Sequence, residues 1–310
     1  MTQFTQETRA HEWPGYYDRF SYFSPEKVRA GCYPRIMEHL QSTEKAIVLV
    51  HGLSDSPYFM SAIGEHFFKN LGYNVYIPLL HCHGLKEPQG MEDVKLEEWK
   101  ANVRFAIHTA ASKSDQISIG GLSTGGTLSF YMAAQPKEKI NGALYLFSAA
   151  LDLGGGPLGF LGELKERLLG TFLVDVLDNN KPLIGDNPYR YGHIDMDGAR
   201  ELAKLIRETD AIIERFSCNK LFSKSVFAAH SASDTTADIS GIEKLQKVSA
   251  LGLFQLYSIP KCFGVSHASL VLKDPIPKSG NPLEKENPQF KEMMEAVTAF
   301  EKQWGLYKPQ

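Results

Sequence analysis

The chain has 310 residues, 43% of them hydrophobic and 22% charged, and its 33 basic side chains against 36 acidic ones leave a net charge of −3. This is the composition of an ordinary globular protein, long enough to bury a large core in one domain that carries an insertion. A slightly negative chain without a long basic run offers nothing to a nucleic-acid backbone, and no apolar stretch reaches the roughly 18 residues a membrane span needs.

The polar start, Met1-Thr2-Gln3-Phe4-Thr5-Gln6-Glu7, lacks the apolar core of a secretion signal, so a cytoplasmic setting is expected, a removed signal sequence being the alternative. Residues 1–44 show no clear period but carry Trp13, Tyr16, Tyr17, Phe20, Tyr22 and Phe23, which suggests an arm packed on the main domain. Regular alternation begins at residue 45. Ala46–Val50 is a short, wholly apolar strand of the buried parallel type. Ser56-Pro57 looks like an N-cap followed by proline at the first helical position, and Gly72 would stop that helix after Asn70. Strands are then expected at 74–77, 116–120 and 142–147, with helices at 96–111 and 124–134 between them.

From 151 to 220 the alternation stops. Leu161, Leu164, Leu168, Phe172 and Val176 share one helical face, and 199–216 reads as another amphipathic helix. Order resumes with a strand at 224–229, a helix at 239–248, a strand at 253–259 and a last helix at 289–304. Strands alternating with helices predict a doubly wound, mostly parallel α/β sheet. The expected division is an N-terminal arm (1–44), a core (45–150 and 221–310) and a helical cap inserted at 151–220. Cys32, Cys82, Cys218 and Cys262 lack C-x-x-C spacing and are expected to be free buried thiols.

The sharpest signal lies between the strand at 116–120 and the helix that follows it. Gly121-Leu122-Ser123-Thr124-Gly125 reads G-x-S-x-G, a turn that lifts a serine oxygen to the N-terminus of a helix. No lysine follows, which argues against a phosphate-cradling loop. A serine hydroxyl needs a base, and the base needs an orienting acid. In an open α/β sheet these groups sit on loops at the carboxyl ends of later strands. Asp234 follows the strand at 224–229, with Asp238 as rival, and His267 follows the strand at 253–259. The order Ser123, Asp234, His267 suits this topology. Val50-His51-Gly52-Leu53 ends the first apolar strand; the backbone N–H groups of Leu53 and Thr124 are the expected oxyanion donors, and His51 is expected to hold the turn.

Together these residues resemble the α/β-hydrolase superfamily. Within it the chain is similar to bacterial carboxylesterases and monoacylglycerol-lipase-like hydrolases, which carry an "HG" turn, a "GHG" segment and a tryptophan-bearing helix. Here those are His51-Gly52-Leu53, His81-Cys82-His83-Gly84 and Glu97-Glu98-Trp99. Asp55 replaces the small residue common after the turn, and Cys82 replaces the first glycine of the second element. The resemblance implies a cofactor-free serine hydrolase acting on a small-molecule ester, and the apolar cap suggests an acyl chain of short to medium length, a monoacylglycerol or lysophospholipid among the candidates. A thioesterase, a peptidase, a carbon–carbon hydrolase and a non-catalytic ligand receptor are alternatives on the same scaffold. Leu168 and Phe172 are the candidates to line the acyl pocket, core packing of the cap being the alternative for this apolar face. Two histidines around one thiol lack the second ligand pair of a zinc centre, so no metal is expected at 81–83. The sequence leaves the oligomeric state open.

Overall fold

The structure, a computed structural model, describes residues 11–152, 187–192, 195–216, 220–277 and 282–304. In chain order its elements are α1 (Pro14–Arg19), β1 (Arg35–Met37), β2 (Lys45–Val50), α2 (Tyr58–Leu71), β3 (Asn74–Ile77), α3 (Leu96–Ala111), β4 (Gln116–Leu122), α4 (Thr124–Ala133) and β5 (Leu144–Phe147). Then come α5 (Met196–Ile213), β6 (Val226–Ser231), α6 (Ser240–Val248), β7 (Phe254–Ile259) and α7 (Phe290–Trp304). The strands form one sheet in the order β1-β3-β2-β4-β5-β6-β7, parallel except for β1.

The apolar runs explain the layering. Ala46 through Val50 are fully buried because both faces of β2 are covered. On one face α3, α4, α5 and α6 pack through Trp99, Val103, Leu128, Leu205 and Leu245. On the other, α2 and α7 pack through Phe59, Ile63, Phe67, Met293 and Phe300. This is the doubly wound α/β-hydrolase architecture expected. Among the described residues no helix is long and apolar enough to cross a membrane.

Four local differences have physical reasons. First, α2 begins at Tyr58 rather than Pro57; the Ser56 carbonyl, not its hydroxyl, opens the helix by accepting from Phe59 N at 3.1 Å. Gly72 ends it in the left-handed region (φ 73°). Second, β6 continues through His230 and Ser231 because β7 extends the ladder, pairing them with Ser258 and Ile259. Third, β1 makes the arm part of the sheet: Arg35–Met37 pairs antiparallel with β3, while Trp13, Tyr16, Phe20 and Phe23 are buried beside it. Fourth, α5 falls inside the 151–220 stretch yet belongs to the helical layer; its Leu202, Leu205 and Ile206 join the cluster of α3 and α4, and its Glu201 carboxylate accepts the Leu96 N–H at 3.0 Å. Most of the remaining expected cap, 153–186 with Leu161, Leu164, Leu168, Phe172 and Val176, lies outside the described residues, as does Cys218. Cys32 is free and buried, Cys82 is free and half-buried, and Cys262 is free but exposed, contrary to expectation for the last.

Candidate active site

Parallel strands present all their carboxyl ends on one edge, and the candidate residues collect there. β4 ends at Leu122 and α4 starts at Thr124, so Ser123 alone makes the turn, at φ 77° and ψ −113°. A side chain in this region is strained, and persists only where the surroundings fix it. Here Ser123 N donates to Phe147 O at 3.1 Å, and Ser123 O accepts from Thr127 N at 3.0 Å. The flanking glycines are steric necessities. A Cβ on Gly125 would collide with the Val50 carbonyl oxygen and lie 2.5 Å from that of His51, and one on Gly121 would sit 2.5 Å from Val50 O. The turn is thus jammed against the end of β2. Ser123 is only 9% exposed. Thr124 opens α4, so its N–H has no helical carbonyl one turn earlier and belongs to the positive end of the helix dipole.

The loops after β6 and β7 meet. Ser231 Oγ donates to Val265 O at 2.7 Å and Ser233 Oγ to Lys261 O at 3.1 Å, which ties the two loops together. Between them, His267 Nδ1 lies 2.7 Å from Asp234 Oδ2. The second Asp234 oxygen accepts the N–H groups of Thr236 (2.8 Å) and Ala237 (3.1 Å). Burial pushes this carboxyl up, but the His267 charge and hydrogen bond, helped by those two N–H groups, outweigh it and bring its pKa down to about 2. An ionised Asp234 fixes the proton on His267 Nδ1 and leaves Nε2 as the basic atom. Asp238 instead accepts the Ser240 N–H at 2.8 Å where α6 begins. Among the described residues no hydrogen bond joins Ser123 Oγ to His267; such bonds are often loose without substrate.

The turn after β2 completes the edge. Leu80 N–H donates to His51 Nε2 at 3.1 Å, so the His51 proton sits on Nδ1 and goes to Gly52 O at 2.9 Å. Burial, then the neighbouring His83, hold His51 well below the usual histidine range, so the ring is neutral. Pinning the Gly52 carbonyl also aims the other end of the same planar peptide, the Leu53 N–H. A Cβ on Gly52 would stand 3.4 Å from Ser123 Cβ, so this turn lies directly beside the serine. His81 and His83 serve the same region. The His81 carbonyl accepts from Trp99 Nε1 (3.0 Å) and His83 Nδ1 (2.9 Å), while the His83 ring stacks edge-on to His51 at 5.1 Å.

The structure therefore gathers Ser123, Thr124, Leu53, Asp234 and His267 on one sheet edge; Leu168 and Phe172 lie outside the described residues. Sequence reasoning missed Arg190 and Glu284, which form a buried ion network with Asp55 beside Gly52. The unusual Asp55 was the one visible signal of it.

Comparison with known proteins agrees with this fold. The family model described as "Serine aminopeptidase, S33" (Hydrolase_4) matches residues 41–247. A thermostable monoacylglycerol lipase of Bacillus sp. (strain H-257) is 28% identical over 180 residues, 56% of this chain and 67% of that protein. Among solved structures, one of a pair of metagenome-derived lipolytic enzymes superposes with a TM-score of 0.66 at 18% identity, covering 89% of this chain and all of that one. A monoacylglycerol lipase from Paleococcus ferrophilus gives 0.55 at 14%, covering 85% and 98%. With a G-x-S-x-G elbow on this sheet, the chain is an α/β-hydrolase-fold serine hydrolase, and it belongs to the Hydrolase_4 family.

Proposed function

We propose that this hydrolase cleaves carboxylic esters of short to medium acyl length, monoacylglycerols or lysophospholipids among them, through Ser123, His267 and Asp234. The observation that carries the reading is the His267–Asp234 pair, 2.7 Å apart, on the same sheet edge as the strained serine. In this reading His267 Nε2 takes the Ser123 proton as Oγ attacks the ester carbonyl. The oxygen charge that develops is met by the Leu53 and Thr124 N–H groups, each worth roughly 3–4 kcal/mol in the transition state. The imidazolium, held by Asp234, then protonates the leaving alcohol. Water repeats the sequence on the acyl-enzyme, with His267 again the base, and returns the serine and the free acid. The similarity to monoacylglycerol lipases supports a glyceryl or comparable neutral alcohol as leaving group.

The family description also names an aminopeptidase, so the decisive panel contains both bond types. Nitrophenyl esters from acetyl to lauroyl and aminoacyl nitroanilides are compared for wild type and Ser123→Ala, together with labelling by a fluorophosphonate. Ester turnover and labelling that both vanish in Ser123→Ala support the reading. Faster amide than ester turnover, or labelling that persists in the variant, overturns it.

A further inference from the structure

The turn beside Ser123 is gripped by charges that the hydrolytic scheme above does not use. Asp55 N donates to Gly52 O at 3.3 Å, and Ser54, at φ 62°, offers its carbonyl to Tyr191 N at 2.9 Å. The Asp55 side chain folds back under the turn, and a Cβ on Gly52 would lie 2.5 Å from its Oδ2. Its other oxygen takes a forked contact from Arg190, Nε at 2.8 Å and Nη2 at 2.5 Å. Arg190 Nη1 reaches Glu284 Oε1 at 3.0 Å, and the guanidinium carbon sits 4.5 Å from the centre of the Phe59 ring. Asn187 Nδ2 donates to the same Glu284 oxygen at 2.7 Å. The Arg190 backbone is itself clamped, because Arg29 donates to the carbonyls of Arg190 and Asn187, both at 2.9 Å.

All three charged side chains are buried. A buried network of two carboxylates and one guanidinium is a poor device for stability, since desolvation consumes most of the Coulomb gain. Its geometry is better suited to holding something still. The forked guanidinium contact is directional, which an ammonium would not reproduce. What it holds is Asp55, and Asp55 packs on Gly52 directly beneath the peptide that carries the Leu53 N–H. Burial raises the proton affinity of Asp55 and Glu284, so the ion pairing with Arg190 is what keeps the grip charged at neutral pH.

We propose that Arg190 is a positioning residue for ester hydrolysis, fixing the Gly52–Leu53 peptide through Asp55 so that the Leu53 N–H meets the developing oxyanion. The inference rests on the functional reading above. An oxyanion donor acts on the transition state and barely on bound substrate. Loosening it therefore lowers kcat at constant KM, and weakens a tetrahedral boronate inhibitor in parallel. The variants are Arg190→Met, Arg190→Lys and the charge-free triple Asp55→Asn/Arg190→Met/Glu284→Gln, which strands no buried ion and so tests the idea even if Arg190→Met does not fold. Each is measured for kcat, KM, inhibition by butylboronic acid and thermal midpoint. A kcat lower by about 10²-fold, KM within twofold and boronate affinity lower by a comparable factor are expected in every folded variant, with Arg190→Lys closer to Arg190→Met than to wild type. Unchanged kcat and boronate affinity in a folded triple variant overturn the proposal, as does a raised KM at constant kcat, which would make Arg190 a substrate contact. Ser123→Ala is run alongside: if it retains turnover, the functional reading has failed, whereas if it is inactive while the Arg190 variants are normal, only the positioning role has.

Discussion

Buried neutral histidines should make this fold acid-labile well above the carboxylate range, and His83 allows the effect to be isolated. Its ring is fully buried, Nδ1 donates to His81 O, and among the described residues Nε2 has no partner. Burial, the dominant cause, brings its pKa down from 6.5 to about 4, against the opposing pull of the His81 carbonyl. A neutral-favouring site binds fewer protons folded than unfolded. Its stabilising contribution is therefore complete above pH 6.5 and is lost as pH falls toward 4. With those two pKa values the loss is about 2 kcal/mol at pH 5 and about 3 kcal/mol at pH 4. For a chain of this length, 3 kcal/mol lowers the thermal midpoint by about 5 °C. His66, His81 and His230 are also shifted down by burial, so the wild type loses more than this in total. His83→Asn keeps an N–H donor for the His81 carbonyl and removes the titration. Urea melts of both proteins from pH 7.5 to 4 should therefore give a difference in stability that narrows by about 3 kcal/mol on acidification. A constant difference across that range would refute the argument, as would a wild-type His83 resonance titrating near 6.5.

Asp234→Asn is expected to lower kcat about 10⁴-fold with little change in KM, because the imidazole loses the partner that fixes its tautomer. Asp238→Asn should cost only about 1 kcal/mol of stability, the worth of its hydrogen bond to Ser240, with kcat changed less than fivefold; steady-state kinetics and melts on both variants check this. Gly125→Ala drives a methyl into the Val50 and His51 carbonyls, and should destabilise by about 3 kcal/mol and abolish nitrophenyl acetate turnover, as read by melting and initial rates. If Leu168 and Phe172 line the acyl pocket, kcat/KM should rise by about 0.8 kcal/mol per methylene up to a limit, and Leu168→Ala or Phe172→Ala should move that limit to longer chains without slowing acetyl ester turnover. An unmoved limit with a lower melting temperature would assign those residues to packing.

The core strands were legible because each is a short apolar run covered on both faces, bounded by glycine, proline or polar residues. β2 and β3 fall within a residue of expectation for this reason. The elbow was legible because steric exclusion leaves a sequence trace: only glycine fits where α4 meets β2. β1 left no such trace, being three residues long with an Arg35-Ile36-Met37 pattern that lacks alternation. Its existence depends on the open edge of β3, some forty residues later. Arg190 was illegible for a related reason. Its partners Asp55 and Glu284 lie far away in sequence, on irregular segments without a period, and charge pairing at that range follows only from a finished fold. Glu201, at the start of α5, shows the intermediate case. Its helix was visible as an amphipathic pattern, but nothing local tells a helix of the core layer from one of an insertion; the distinction appears only when Glu201 meets the Leu96 N–H.

The pairing of β1 with β3 also bears on edge-to-edge association of this sheet. A sheet with parallel inner strands has two raw edges, each a row of unused amide and carbonyl groups ready to recruit a foreign strand. At β3 that row is occupied by Arg35, Ile36 and Met37, and the neighbouring apolar surface is shingled over by Trp13, Tyr16, Phe20 and Phe23, with Tyr16 Oη anchored on Leu79 O at 2.7 Å. At the opposite edge no further strand pairs with β7 among the described residues, and its residues Phe254 to Tyr257 are only partly buried. The arm thus acts as a stopper for one of two adhesive margins. A shortened chain beginning at the first apolar strand would keep every candidate catalytic group, yet would offer its neighbours a bare, hydrophobic, hydrogen-bond-hungry rim.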